Sequence, residues 1–154
     1  MHVNKFEVKK MKSTYCDDEH YCFVVDGAPL DYFLNEQYPE KSLLGLVPTI
    51  PEWMCMPAEK EFVLSRFHSS DPIVLLPVLM CPDDCDLWCT LLVAEVEKQD
   101  RFIRWNRIGY DRSTGDEKIE TFEYIGNQVD WLEKIPPFIF KQEEYETEIK
   151  KLLL

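Results

Sequence analysis

The chain has 154 residues, of which 45% are hydrophobic and 13% aromatic, enough apolar surface for one domain with one core, and this composition argues against disorder. Its 29 acidic and 17 basic residues give a net charge of −12, which opposes binding to nucleic acid or anionic lipid and favours a basic partner. No apolar run reaches the ~18 residues of a membrane span, and none follows the cationic start MHVNKFEVKK as in a secretory signal, so we expect a cytoplasmic protein.

Two strands and a turn are predicted near the amino terminus. Residues 5–11 alternate weakly, and residues 21–25 have the aromatic and β-branched content typical of a strand. The polar stretch CDDEH at 16–20 predicts a loop between them. Residues 26–29, DGAP, predict a turn, because glycine tolerates a positive φ and proline fixes the next backbone angle.

Two amphipathic helices are predicted next, on either side of an irregular segment. The first begins at Pro29 and carries one apolar face. Residues 38–57 contain four prolines and are apolar but aperiodic, so we expect a long loop over the core with a short helical turn at 52–56. Residues 58–68 predict a second helix with an apolar face and, away from it, a polar face made of Glu59, Lys60 and Arg66.

Three consecutive strands are predicted in the second half of the chain. Residues 73–80 and 90–97 are near-continuous apolar runs, typical of central strands covered on both faces. Residues 102–108 follow after the short polar link KQD, so the three strands predict an antiparallel meander. Pro77 has no N–H to give to a ladder, and it therefore implies a bulge or an edge in the first of these strands.

The carboxyl-terminal part predicts a loop, a short strand and a helix. Residues 110–129 contain glycines and many charges and are interpreted as surface loop with room for a short strand at 120–125. A pair of prolines precedes a short strand at 138–140. We predict a single α+β domain, an antiparallel β-meander with a few flanking helices. The closing helix, residues 142–154, has an apolar stripe formed by Tyr145, Ile149 and Leu152.

Two acidic segments rich in cysteine are the candidate metal site. CPDDCDLWC (81–89) spaces three cysteines four residues apart, and CDDEHYC (16–22) adds two more and a histidine. A zinc site bridging the segments is chemically sensible. Against it, neither segment has the CxxC spacing of zinc knuckles and redox motifs, neighbouring aspartates raise the pKa of a thiol, and buried unreactive cysteine is commoner. The candidate ligands are Cys81, Cys85, Cys89, Cys16, Cys22 and His20.

Catalytic and cofactor motifs are missing from the sequence. There is no GxSxG, no HExxH and no glycine-rich phosphate loop, so an enzyme is less expected than a binding protein. The stretch HSSD (68–71) has the residue types of a triad, but adjacent residues cannot converge on one substrate, and it is interpreted as a turn. A small basic island lies beside Trp105, and arginines interleaved with aromatic residues can bind single-stranded nucleic acid. The net charge of −12 opposes such binding. The island consists of Arg101, Arg104, Arg107 and Arg112.

Four segments in order, DGAPL, LLPVLMCPDDCDLWCTLLVAEVE, IRWNRIGYDR and PPFIFKQEEYETEIKKL, resemble a loosely defined group of uncharacterised small bacterial proteins. In that group a strand ends in a cysteine- or glycine-rich turn, a V-x-W strand follows, and a short F-x-F strand leads into a terminal helix with a tyrosine. The resemblance implies the fold and assigns no activity, and acids replace the turn glycines here. The matching residues are Cys81, Cys85, Ile103, Trp105, Phe138, Phe140 and Tyr145.

Two functions are predicted. The first is a small acidic binding protein without a cofactor or catalytic activity, similar in character to immunity proteins and attracted to a basic protein by charge complementarity. The second is a zinc-binding or redox protein that uses the thiols of the 81–89 turn. The contact surface expected for the first comprises Asp17, Asp18, Glu19, Asp83, Asp84 and Asp86.

Overall fold

Two antiparallel sheets and three α-helices make up the computed structural model, which describes residues 2–13, 16–54, 56–82, 87, 90–113 and 122–153. Short 3₁₀ turns at Pro39–Lys41 and Pro51–Trp53 interrupt the connection that the sequence predicted as a long loop. The strands are β1 Phe6–Ser13, β2 Cys16–Val25, β3 Ala28–Pro29, β4 Val47–Pro48, β5 Ile73–Met80, β6 Leu91–Gln99, β7 Phe102–Asp111, β8 Val129–Trp131 and β9 Phe138–Lys141. The α-helices are α1 Leu30–Gln37, α2 Pro57–Phe67 and α3 Gln142–Leu153.

The first sheet has the order β1-β2-β3. The loop predicted for residues 16–20 is wrong, because β2 begins at Cys16 and pairs with β1 as far as Ser13. A shift in register between Met11 and Ser13 lets the polar stretch stay in the ladder, where strand pairing overrides its low β-propensity. The predicted turn is confirmed: Asp26 and Gly27 both have positive φ (52° and 83°), as a two-residue hairpin requires.

The second sheet contains the predicted meander, in the order β4-β5-β6-β7. Strands β8 and β9 both pair with the outer edge of β7, β9 along its first half and β8 along its last residues. The bulge predicted at Pro77 is confirmed, since Pro77 pairs with Val93 while Leu79 pairs with Leu92. The hydroxyl of Thr49 donates to the Pro77 carbonyl at 2.7 Å and so holds the bulge in place.

The main core lies between the two sheets and is closed by α1 and α3. Aromatic rings fill its centre: Trp105 and Tyr145 each lie with ring centroids 5.7 Å from Phe140, and Phe6 packs 4.9 Å from the same ring. On the opposite face of the second sheet, α2 contributes Phe62 to a smaller cluster. Alternate residues of β6 point into each cluster, which explains the near-continuous apolar run of that strand.

Two expectations for the flanking segments need correction. Glu59 does not lie on an exposed face of α2 but is only 2% exposed. Of the short strand predicted at 120–125, the described residues 122–125 form a turn, and the strand of this region is β8. Among the described helices, none combines the length and the apolar composition that crossing a membrane would require.

Candidate functional site

The two acidic segments that the sequence singled out are both tied to the start of α2. From the first segment, the His20 ring packs edge-on against Trp53 in the 3₁₀ turn before the helix, with centroids 5.1 Å apart. From the second segment, the backbone N–H of Leu87 donates to the buried carboxylate of Glu59 in the first turn of α2 at 2.7 Å. One described residue of each segment therefore contacts the first turn of α2 or the 3₁₀ turn before it.

Three exposed carboxylates and one exposed methionine belong to the first of these segments or to the residues around the start of α2. Glu19, Glu52 and Glu61 are all exposed, and within the part of the chain that the structure describes none of them forms an ion pair. Met56, immediately before α2, is 51% exposed. These four residues are termed the acidic end. An exposed methionine that lies between Glu52 and Glu61 in the chain offers a polarizable apolar contact on a negatively charged protein.

Of the six predicted metal ligands, the structure brings two together, His20 and Cys22. The Nδ1 atom of His20 lies 3.4 Å from the Cys22 Sγ and 3.0 Å from the Tyr21 carbonyl oxygen. His20 is 4% exposed, and its Nε2 has no hydrogen-bond partner among the described residues. The Cys22 thiol therefore lies on the Nδ1 side of the ring, and a metal ion held by both residues would need Nδ1 to carry the lone pair rather than the proton.

A third ionisable group of this region, Asp31, lies in the first turn of α1. Its Oδ2 accepts the backbone N–H of Gly45 at 2.9 Å. Burial raises the pKa of the Asp31 carboxyl, while the N–H groups of Gly45 and Tyr32 and the charge of His20 act in the opposite direction. The carboxyl is therefore closer to neutrality than a surface aspartate, which weakens it as a ligand for a cation.

The described residues alone do not form a complete metal site. Within the described ranges, no three His, Cys, Asp or Glu side chains surround a common metal position. Cys81 follows the last residue of β5 and is half-buried, and Cys16 begins β2. The zinc hypothesis stays a prediction that rests on the pair His20 and Cys22. The predicted ligands outside the described residues are Cys85 and Cys89.

The predicted partner-binding residues fall into three groups. Glu19 is exposed at the acidic end, as expected for a contact residue. Asp17 and Asp18 belong to β2 rather than to a loop. The other three, Asp83, Asp84 and Asp86, lie outside the described residues. The structure therefore offers Glu52, Met56 and Glu61, which the sequence did not single out, as additional surface at this end.

Two of the four arginines in the basic island pair with acids of their own sheet. Arg107 pairs with Glu95 at 3.0 Å, and its guanidinium lies 4.0 Å from the centre of the Trp131 ring. Arg112 pairs with Asp130 at 2.9 Å. These contacts occupy cations that a nucleic acid would need, although the predicted absence of nucleic-acid binding stays a prediction.

Besides Glu52, Met56 and Glu61, three residues of this region were given no role in a site by the sequence analysis: Asp31, Trp53 and Glu59. The available signal for Glu59 was its place in a helix that begins with Pro57, because an acid in the first turn is favoured by the unsatisfied N–H groups there. The turn predicted at HSSD is confirmed, since the Ser69 hydroxyl accepts the N–H of Asp71 at 3.2 Å.

The functional interpretation rests on these residues alone. Searches against protein-family models, curated proteins and solved structures found no match to the chain.

Proposed function

We propose that the protein is a cytoplasmic binding protein without catalytic activity, which captures a basic protein partner through its acidic end, in the manner of an immunity protein. The observation that supports this most directly is the exposure of Met56, which lies between the exposed Glu52 and Glu61 in the chain. A basic segment with an apolar residue would place that residue on the methionine and its cations on the carboxylates.

The charge of the chain favours such a partner. Because Glu19, Glu52 and Glu61 have no ion pair among the described residues, their charges are not neutralised locally. The net charge of −12 extends the same field over the whole molecule. Such a field accelerates the encounter with a cationic protein. At physiological ionic strength, salt screens the field beyond a distance of roughly 8–10 Å.

The anchoring of the acidic end supports the same proposal. His20 against Trp53 and Leu87 against Glu59 tie two separate segments to the start of α2. A surface held in place before binding loses less conformational freedom when the partner arrives, and more of the contact energy then appears as affinity.

A capture experiment with two triple variants tests the proposal. The native chain is immobilised and exposed to extract of its own cells at low salt, and captured proteins are identified and purified for titration. Glu19→Gln/Glu52→Gln/Glu61→Gln is compared with Glu36→Gln/Glu40→Gln/Glu133→Gln, which removes the same charge from other exposed positions. We expect a basic partner whose affinity falls at least tenfold in the first variant alone. Equal losses in both variants, or captured proteins with no excess of basic residues, would contradict the proposal.

A second candidate function, zinc binding, is favoured by one observation, the 3.4 Å contact between His20 and Cys22. Purified protein prepared without chelator would then contain stoichiometric zinc, and Cys22→Ser would remove it. Metal-free native protein would exclude this candidate and leave the binding proposal unaffected.

We also propose membership in the group of small bacterial proteins that the sequence resembles. Its motif residues in the second half of the chain support this, because they occupy the core together: Ile103, Trp105, Phe138, Phe140 and Tyr145. A member of that group in which two of these core residues are both substituted, so that the change at one position compensates for the change at the other, would strengthen the proposal.

A further inference from the structure

We propose that a cleft between the end of α2 and the helix α3 is a binding site for a small amphipathic anion, a carboxylate with a short aliphatic tail. The cleft has a volume of about 290 Å³ and opens beside the start of β5 and the end of β6. It is separate from the acidic end, which lies at the opposite terminus of α2, and the inference does not depend on the proposed function.

The floor of the cleft is aliphatic. Leu76 and Val96 reach it from adjacent strands, and Ile103 and Ile149 add to it from β7 and α3. All four side chains are buried within the protein, yet they line a space that none of the described residues fills. Val74 is only half-buried at its edge. An apolar tail placed there would remove this surface from water, which is the main source of affinity in small-molecule sites.

The rim of the cleft is cationic, in contrast to the rest of the molecule. Among the described residues, Arg66, Lys98 and Lys150 line it together with one carboxylate, that of Glu146. The whole chain has 29 acids against 17 bases. Three cations against one acid around an apolar floor is therefore the reverse of the average surface, and it favours an anionic head group.

Two of the rim cations are positioned by backbone oxygens. The Lys98 ammonium donates to the carbonyl of Ser69 at 2.5 Å, and the Arg66 guanidinium donates to the carbonyl of Leu75 at 2.5 Å. Arg66 also pairs with Glu123 at 3.7 Å, so part of its charge is already balanced. Lys98 and Lys150, both exposed, are the cations best able to turn towards a bound carboxylate.

The size of the cleft limits the ligand. Pockets for drug-sized molecules have volumes of about 300–1,000 Å³, and the volume of this cleft, about 290 Å³, lies just below that range. A short unbranched tail suits it better than a long acyl chain or a fused ring system. Octanoate is therefore the probe, and three analogues separate its parts: acetate lacks the tail, 1-octanol lacks the charge, and octylammonium reverses it.

Calorimetric titration of the native protein with these four compounds tests the ligand class. We expect saturable binding of octanoate that weakens as salt is added, at least tenfold weaker binding of 1-octanol and octylammonium, and no measurable binding of acetate. Absence of octanoate binding overturns the proposal. Equal binding of octanoate and 1-octanol overturns its anionic part, because the rim would then contribute nothing.

Variants test the location. Lys98→Glu/Lys150→Glu reverses the rim charge, and Lys10→Glu/Lys134→Glu makes the same change at exposed lysines that do not line the cleft. We expect octanoate affinity to fall at least tenfold in the first variant only; equal affinities in the two variants place the ligand elsewhere and overturn the proposal. Val74→Phe fills the cleft and should abolish octanoate binding. Retained binding in a folded V74F protein would also overturn the proposal. If V74F fails to fold, the rim variants decide alone.

Discussion

The carboxylate of Glu148 on α3 accepts a hydrogen bond from the backbone N–H of Val8 at 2.9 Å. One helical turn earlier, Glu144 accepts the N–H of Phe6 at 3.1 Å. Since β1 is an edge strand of its sheet, these N–H groups are the ones that a neighbouring strand would otherwise bind. Two glutamates four residues apart on a helix therefore block a sheet edge that would otherwise be free to pair with another chain.

The first prediction concerns the acid stability that this contact provides. Burial raises the pKa of the Glu148 carboxyl, but the hydrogen bonds from Lys151 and Val8 and the charges of Lys151 and Lys5 outweigh it, so the pKa lies below its ordinary 4.5. A carboxyl of this kind stabilises the fold above its unfolded-state pKa, and the contribution disappears as the pH falls through the folded-state pKa. We expect the unfolding free energy of Glu148→Gln to fall less steeply than that of the native chain as the pH drops below 4.5.

The matched control for this prediction is Glu143→Gln, an exposed glutamate in the same helix. Urea unfolding between neutral and acidic pH measures the slope of stability against pH for the native chain and both variants. Identical slopes for the native chain and Glu148→Gln would show that the contact with Val8 does not depend on ionisation.

The second prediction compares two glycines with positive φ. A Cβ at Gly126 (φ +96°) would lie 2.7 Å from Cδ1 and 2.9 Å from Cβ of Leu75, whereas a Cβ at Gly27 (φ +83°) would meet no described atom within 4 Å. Gly27→Ala should therefore cost only the backbone strain of about 1–2 kcal/mol. Gly126→Ala should cost about 1–3 kcal/mol more, because Leu75 must also move.

Thermal and urea unfolding of the two alanine variants decide this comparison. Because both glycines are in turns with the same sign of φ, their difference isolates the steric part. Equal destabilisation would mean that Leu75 moves without loss of packing.

The elements that the sequence predicted well are those in which local pattern and final packing agree. The stripe of α3 is buried as expected, with Tyr145, Ile149 and Leu152 all in the core. The bulge at Pro77 could be predicted from the sequence because proline lacks a backbone N–H whatever its surroundings. Two strands of the meander followed from apolar runs of strand length, which are typical of strands covered on both faces, and the third followed from the short polar link after them.

The elements that the sequence missed depend on partners far away in the chain. The stretch 16–20 is polar and lacks β-propensity, yet β1 provides a hydrogen-bonding partner for it. In the sequence, Glu59 resembles a solvent-facing helix residue. In the structure, the segment between β5 and β6 covers it, and the N–H of Leu87 donates to its carboxylate. The contact of His20 with Cys22 was partly accessible from sequence, because residues i and i+2 share one face of a strand, but only once the strand itself was known.

The third prediction concerns a buried hydrogen bond in the aromatic core. The indole Nε1–H of Trp105 donates to the hydroxyl oxygen of Tyr145 at 3.3 Å. Tyr145→Phe keeps the ring but removes the acceptor, so a buried donor is left without its partner at a cost of about 1–3 kcal/mol. Burial also raises the pKa of the Tyr145 hydroxyl far above its ordinary 10.0, so this tyrosine should not ionise in the folded protein during an alkaline titration.

A double-mutant cycle measures the coupling of the two residues. Trp105→Phe removes the donor but also shrinks the ring, and Trp105→Phe/Tyr145→Phe removes both partners. We expect the double variant to be less destabilised than the two single variants added together, because no donor is left unsatisfied in it. Strict additivity would show that the 3.3 Å contact carries no net interaction.

The last prediction concerns the connection between α2 and the segment between β5 and β6. Glu59 is buried and accepts the N–H of Leu87, and a hydrogen bond to a charged acceptor contributes about 1.5–3 kcal/mol. Glu59→Ala should lower the unfolding free energy by that amount and accelerate amide exchange at Leu87. Glu61→Ala, an exposed position on the same helix, should change neither. Glu59→Gln retains a carbonyl acceptor and should lie between them. If amide exchange at Leu87 is the same in Glu59→Ala and Glu61→Ala, the segment is held by other contacts, and the acidic end is not organised through Glu59.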